Sequence, residues 1–174
     1  NGYKQLLGYS GQLRTDYVLK CGYGITLINM AVMGLIAWGY IILIGAQING
    51  ACIGALFTIL GFSAYGKHPA NTIPIFLGAF AASVLNIHDP TGTVAVIAVL
   101  FGSTLAPIAG RFGIIAGIFA GFIHVSVTLN VSYLHGGMNL YNNGFSGGFV
   151  AALLMPLCVM IAEKFNLKKG LRNN

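Results

Sequence analysis

"CGYGITLINMAVMGLIAWGYIILIGAQINGACIGALFTILGFSAYG", Cys21 to Gly66, contains no Asp, Glu, Lys, Arg or His. A bilayer core is crossed by about 20 helical residues. The run therefore holds two spans, roughly 22–45 and 50–66, broken at "GAQING" (Gly45–Gly50). The rest of the chain carries the same signature. Of 174 residues, 56% are hydrophobic and 7% charged, where soluble domains carry about 25% charged residues. Too few charges exist to cover a water-facing surface, so the surface must face lipid. The fold class that follows is all-α, a polytopic helical membrane protein.

Pro69 to Ile87 is a further uncharged run, with Pro69 and Pro74 near its start, where a missing N–H is tolerated. "NIHDPTG" (Asn86–Gly92) reads as a turn. Pro90–Gly110 and Phe112–Leu134 make a fourth and a fifth span, the fifth interrupted by His124. Gly136–Ala162 is uncharged, and its last two thirds make a sixth. The organisation expected is a polar segment over 1–20, one transmembrane domain over 21–162 and a basic tail over 163–174. Because the chain opens on Asn1, it is expected to be a piece of a longer protein or a processed chain.

Nine basic residues against three acidic ones give a formal charge of +6. If six segments cross and the N-terminus lies inside, all nine basic residues fall on one face: Lys4, Arg14, Lys20, Lys67, Arg111, Lys164, Lys168, Lys169 and Arg172. That sorting is the positive-inside pattern. It places the chain in a cell's inner (plasma) membrane with both termini cytoplasmic, and it accounts for the charge without nucleic acid. Cys21, Cys52 and Cys158 are odd in number, lie in or beside apolar runs and read as small buried hydrophobes.

One stretch breaks the apolar pattern. "HGGMNLYNNGFSGG" (His135–Gly148) holds three asparagines and five glycines. It reads as a loop, or as an interrupted, re-entrant helix whose exposed start meets a polar solute. "INGACIGALFTILGFSAYGK" (Ile48–Lys67) and "NNGFSGGFVAALLMPLCVMIAEK" (Asn142–Lys164) share N-G-x-x-x-G followed by an apolar run to a lysine. This weak internal repeat would have units near 22–88 and 112–162. Asn49 and Asn143 each precede a glycine and read as N-caps, so two helix starts with free N–H groups would face one polar path. The bland alternative is two external loops with ordinary caps.

On the fifth span Gly113, Gly117, Gly121, His124, Thr128, Ser132 and His135 are spaced by three or four residues and share one helical face. The lower half is GxxxGxxxG, a close-packing face. The upper half is polar, with His124 near mid-span as a solute or proton contact, or as a neutral histidine bonded to a neighbouring helix. Gly50, Gly54, Thr58, Gly61 and Tyr65 form a lesser stripe on the second span, and the N-G-x-x-x-G segment before the sixth contributes Gly144 and Gly148. These glycines read as helix-packing positions and Thr58 as a lesser candidate for the pathway. The four histidines lack metal-ligand spacing, and Asp16, Asp89 and Glu163 all sit at span ends. Neither an enzyme nor a bound cofactor or metal is expected.

These residues resemble the urea transporter family. "DPTGTVAVIAVLFGSTLAPIAGRFGIIAGIFAG" (Asp89–Gly121) is similar to that family's N-P-x-x-G segment and the two helices after it. "LYNNGFSGGFVAALL" (Leu140–Leu154) is similar to its L-Y-G-x-N stretch at a pore helix. "HPANTIPIF" (His68–Phe76) is similar to L-P-x-x-T-x-P-F, with Pro69, Thr72 and Pro74 matching. The resemblance implies a channel with duplicated halves, Thr72 facing the pore and backbone near Asn49 and Asn143 in its lining. The family's halves are inverted, whereas the charge pattern here makes the two N-G segments parallel. The sequence also resembles an uncharacterised bacterial multispanning family built from a duplicated domain. Two functions stand out: a channel or facilitator for a small polar, urea-like solute, with His124, Thr72, Asn49, Asn143, Thr128 and Thr58 along its path; or a non-catalytic membrane subunit that assembles with another copy or with the missing part of its own chain. A membrane enzyme using His124, His135 and His88 comes last.

Overall fold

The computed structural model describes residues 2–12, 15–85 and 88–164. Among them every regular element is a helix, and one isolated β-bridge joins Asp16 to Tyr65. In chain order the α-helices are α1 (Gly2–Leu6), α2 (Tyr17–Cys21), α3 (Tyr23–Leu43), α4 (Gly50–Phe62), α5 (Pro69–Leu85), α6 (Thr93–Gly102), α7 (Ala106–Phe112), α8 (Ile114–Asn130) and α9 (Asn139–Lys164). Short 3₁₀ turns join α6 to α7 (Ser103–Leu105) and follow α8 (Ser132–His135). Three helical stretches are long and apolar enough to cross a membrane: Tyr23–Leu43, Thr93–Phe112 and Asn139–Lys164. Three shorter apolar helices, α4, α5 and α8, pack with them. At 1.5 Å per residue, α5 and α8 are each about 25 Å long and α4 about 20 Å.

Contacts at the helix ends sort the chain into two ends. The Tyr17 N–H donates to the Ala64 carbonyl at 3.0 Å, and His68 Nε2 lies 2.8 Å from the Tyr9 carbonyl. Gly11 sits on Gly66, and Gly110 on Ser10. Residues 8–12, 15–17, 63–71 and 109–113 therefore gather at one end, and Lys20, Lys67 and Arg111 go with them. At the other end Asn49 Nδ2 donates to Thr93 Oγ1 at 2.8 Å, and a cleft of about 370 Å³ is lined by His88, Asp89, Thr93, Thr128 and Ser132. Three of the described basic residues, Lys20, Lys67 and Arg111, thus share one end. Arg14, Lys168, Lys169 and Arg172 lie outside the described residues.

The α6–α7 rod is the centre of the bundle, 67% buried over its apolar window, whereas α9 is 17% buried. The tightest helix contact is between α5 and α8, and glycine makes it. A Cβ on Gly78 would strike the Ile118 carbonyl, and one on Gly121 the Ile75 carbonyl. A Cβ on Gly117 would lie 2.6 Å from Ala109 Cβ and 2.9 Å from Pro74 Cβ. Without side chains the two backbones approach to van der Waals distance, the usual means of holding helices together where apolar burial gives no advantage over lipid. Pro74, within α5, gives up one backbone hydrogen bond but fills the groove left by Gly117.

The packing expectations divide. Gly117 and Gly121 are contact positions. Gly113 is instead the hinge between α7 and α8, at φ 96° with nothing near its missing Cβ. Gly50, Gly54, Gly144 and Gly148 face outward, with nothing within 4 Å of a built Cβ. Their small-residue spacing is real, but among the described residues no helix covers those faces. Among the cysteines, Cys52 is buried, whereas Cys21 and Cys158 are half-buried and all three are unpaired. Large apolar side chains such as Leu27, Leu35, Phe57, Leu77, Ile115 and Phe119 point outward.

Candidate functional site

Two polar clusters lie inside this apolar bundle. The first is at the basic end. Asn29, seven residues into α3, donates through Nδ2 to the Ser63 and Lys67 carbonyls at 2.7 and 2.8 Å. Asn71 Nδ2 donates to the Gly66 carbonyl at 2.8 Å, and its Oδ1 accepts from the His68 N–H at 3.0 Å and from Thr72 Oγ1 at 3.2 Å. These bonds tie down the non-helical turn between α4 and α5, where Gly66 has φ 82°. Buried backbone groups must find partners, and here two asparagines supply them. Thr72 is fully buried in this cluster, one turn into α5.

Lys67 belongs to the same cluster. It is 7% exposed and its Nζ donates to Ser103 Oγ at 2.8 Å, with the Phe62 ring 5.2 Å below the ammonium. Among the described residues no carboxylate pairs with it. Burial pulls its pKa down to about 8, because an uncompensated cation is costly away from water. Ser103 begins the 3₁₀ break in the central rod.

The second cluster lies along the α8–α9 seam. α8 presents His124 and Thr128; α9 presents Asn139, Asn142, Asn143 and Ser146, which lie three, four and seven residues after the first and so share its inward face. His124 is 1% exposed, and its Nε2 lies 3.2 Å from Asn143 Oδ1. This geometry gives Nε2 the proton, because an amide oxygen can only accept. Asn143 Nδ2 in turn donates to the Asn139 carbonyl at 2.9 Å and to Asn139 Oδ1 at 3.1 Å. One turn above His124, Thr128 Oγ1 donates to the His124 carbonyl at 2.7 Å. His135 Nδ1 lies 2.8 Å from Asn142 Oδ1. The Ser146 hydroxyl is buried with no hydrogen-bond partner, and His124 Nδ1 has none of good geometry, although the Ala98 carbonyl acts on the ring. Gly102 makes room for the imidazole: a Cβ there would lie 3.2 Å from His124 Cδ2. The two clusters thus meet at adjacent residues, Gly102 against His124 and Ser103 against Lys67.

Of the residues expected along a path, His124, Asn143 and Thr128 come together. Thr72 lies in the other cluster. Asn49 stands at the far end of the bundle, where its Oδ1 caps α4 by accepting from the Ala51 and Cys52 N–H groups at 3.1 and 3.0 Å. Thr58 bonds its own helix, to the Gly54 carbonyl at 2.8 Å. Asn143 corrects the reading of paired N-caps. α9 begins at Asn139, so Asn143 is inside a helix and 139–143 is not unwound. The reversal occurs earlier, at Gly136 and Gly137, with φ 56° and 81°; once those glycines have turned the chain, nothing prevents the helix from starting before the N-G pair. The two N-G segments therefore play different parts. Lys67, Ser103, Asn29 and Asn142 were not singled out. Only the uncharged runs on both sides of Lys67 could have pointed to its burial. Among the described residues no three of His, Cys, Asp and Glu gather as a metal site requires.

Residues 1–160 match the model of a family described as "Protein of unknown function (DUF1576)". Neither the curated proteins nor the solved structures contain a match to the chain.

Proposed function

The chain belongs to the DUF1576 family, whose description assigns no activity, and from its own residues we propose a membrane channel or facilitator for a small, neutral polar solute. The observation that carries this reading is the α8–α9 seam. It combines a buried His124–Asn143 pair, a Ser146 hydroxyl with no partner and, one turn above, Thr128 at the wall of the far-end cleft. Polar groups this deep in an apolar bundle are costly unless something uses them. In this reading six segments cross the membrane, the basic end faces the cytoplasm, and solute enters from the Asp89 end past Thr128 to His124. His124 Nε2–H and Asn143 offer a donor and an acceptor, which fit a molecule of urea's size and polarity, as the resemblance implies. The buried Lys67 ammonium, beside the rod break that touches His124, repels cations from the same place.

The test is flux. Liposomes containing the purified chain should shrink and re-swell faster than empty ones when challenged with urea, formamide or glycerol. Asn143→Leu and His124→Leu should abolish the gain. Equal rates with and without protein for every solute would refute the proposal.

A second reading has its own support. The C-terminal half of α9 has no buried residue, and Gly50, Gly54, Gly144 and Gly148 offer bare backbone outward. The chain would then be a non-catalytic subunit, closed by a second copy or by further chain. Crosslinked dimers without solute flux would favour it.

A further inference from the structure

At the basic end, the α7–α8 hairpin and the C-terminal half of α9 diverge and leave a cleft of about 770 Å³. Its walls are apolar, formed by Ile115, Phe119, Leu154, Leu157 and Ile161, and its polar corner holds Arg111 with His68 and Asn71. The Arg111 Nε–H is buried and has no hydrogen-bond partner, and the guanidinium lies 5.1 Å from the Phe112 ring. Among the described residues no carboxylate pairs with Arg111. A guanidinium with an unused N–H presents a fork suited to a phosphate. An apolar slot leads away from it for the length of about two helical turns of α9, from Leu154 to Ile161.

We propose that this cleft binds one anionic phospholipid, its phosphate on Arg111 and an acyl chain between Phe119, Leu157 and Ile161. The charge selects the occupant. A second copy of this chain would bring further basic residues to an end that already carries Lys20, Lys67 and Arg111, whereas an anionic headgroup neutralises it. Basic pockets between helices at the cytoplasmic side are where such lipids are held. The inference rests on the membrane placement given above but not on solute conduction, so it survives if flux is absent. The bound chain would seat the half of α9 that the other described residues leave uncovered.

The experiment is native mass spectrometry of the purified chain in detergent, with phosphatidylglycerol or phosphatidylcholine added. One phosphatidylglycerol should be retained in preference to phosphatidylcholine. Arg111→Gln should lower its retention about five-fold, the loss of one cation–phosphate contact. Leu157→Trp, on an exposed face of α9 and thus harmless to folding, should lower it by filling the slot. Lys20→Gln, a charge of the same end outside the cleft, should leave it unchanged. Equal retention of both lipids, indifference to Arg111→Gln and Leu157→Trp together, or a disulfide-linked dimer through Cys158 in a Cys21→Ala background would each overturn the proposal. The last result would make a second copy the occupant.

Discussion

The cluster around Asn29, Asn71 and Lys67 and the seam around His124 and Asn143 are equally buried and equally polar, yet their hydrogen bonds go to different places. In the first, side-chain amides are spent on backbone carbonyls of one turn: Ser63, Gly66 and Lys67. That cluster holds a fold. In the second, side chains meet side chains across two helices, and a hydroxyl is left without a partner. A native interior leaves few polar groups unsatisfied, so the seam has hydrogen-bonding capacity that the bundle does not use. On the proposed function, that spare capacity is what a solute would use.

The sharpest way to break this comparison is at the helix crossing both clusters hang on. Gly121→Val would drive a side chain into the Ile75 carbonyl and should cost at least about 3 kcal/mol by overpacking, read as loss of the folded monomer in thermal unfolding in detergent. Gly54→Val, on an outward face, should leave unfolding nearly unchanged. Next, Asn29→Leu removes two buried bonds to carbonyls and should cost about 2–3 kcal/mol. Asn143→Leu removes buried bonds to His124 and Asn139 and should also cost about 2–3 kcal/mol, but it alone should abolish flux. Flux lost equally with Asn29→Leu in protein that remains folded would erase the distinction.

Lys67 supplies a pH test. Its folded pKa is pulled down to about 8 from about 10.4 in an open chain. The folded state therefore binds fewer protons than the unfolded one between those values. Stability should rise as pH increases from about 8 to about 10, by up to about 3 kcal/mol, and be lowest and flat below 8. Lys67→Met should be less pH-dependent over that window in the same unfolding assay. The smallest effect expected is at the far end: Thr93→Val removes one partly buried bond to Asn49 and should cost about 1 kcal/mol.

Much of the fold is legible in local pattern. The uncharged runs located all six apolar helical segments, and Asn49 before Gly50 announced its cap. The repeat of three and four residues put His124 and Thr128 on one face, together with the two glycines that meet α5. The site was legible in part: the Asn-rich stretch pointed to polar groups at the start of α9, but the N-G pair suggested a helix start where the chain is already helical.

What the sequence by itself determined is the class and the placement of its elements: an all-helical chain with helices long and apolar enough to cross a membrane, and with its basic residues beside the ends of the apolar runs. Hydropathy, helical period and capping are properties of neighbouring residues, and neighbours are what a sequence shows. Tertiary structure decided which faces meet. Gly78 and Gly121 lie under carbonyls while Gly50 and Gly54 face outward, Thr72 joins Asn71 rather than His124, and Lys67 turns inward to Ser103. Those outcomes depend on how close two backbones come and which carbonyls a turn leaves unpaired, distances that arise only when residues far apart in the chain are packed together.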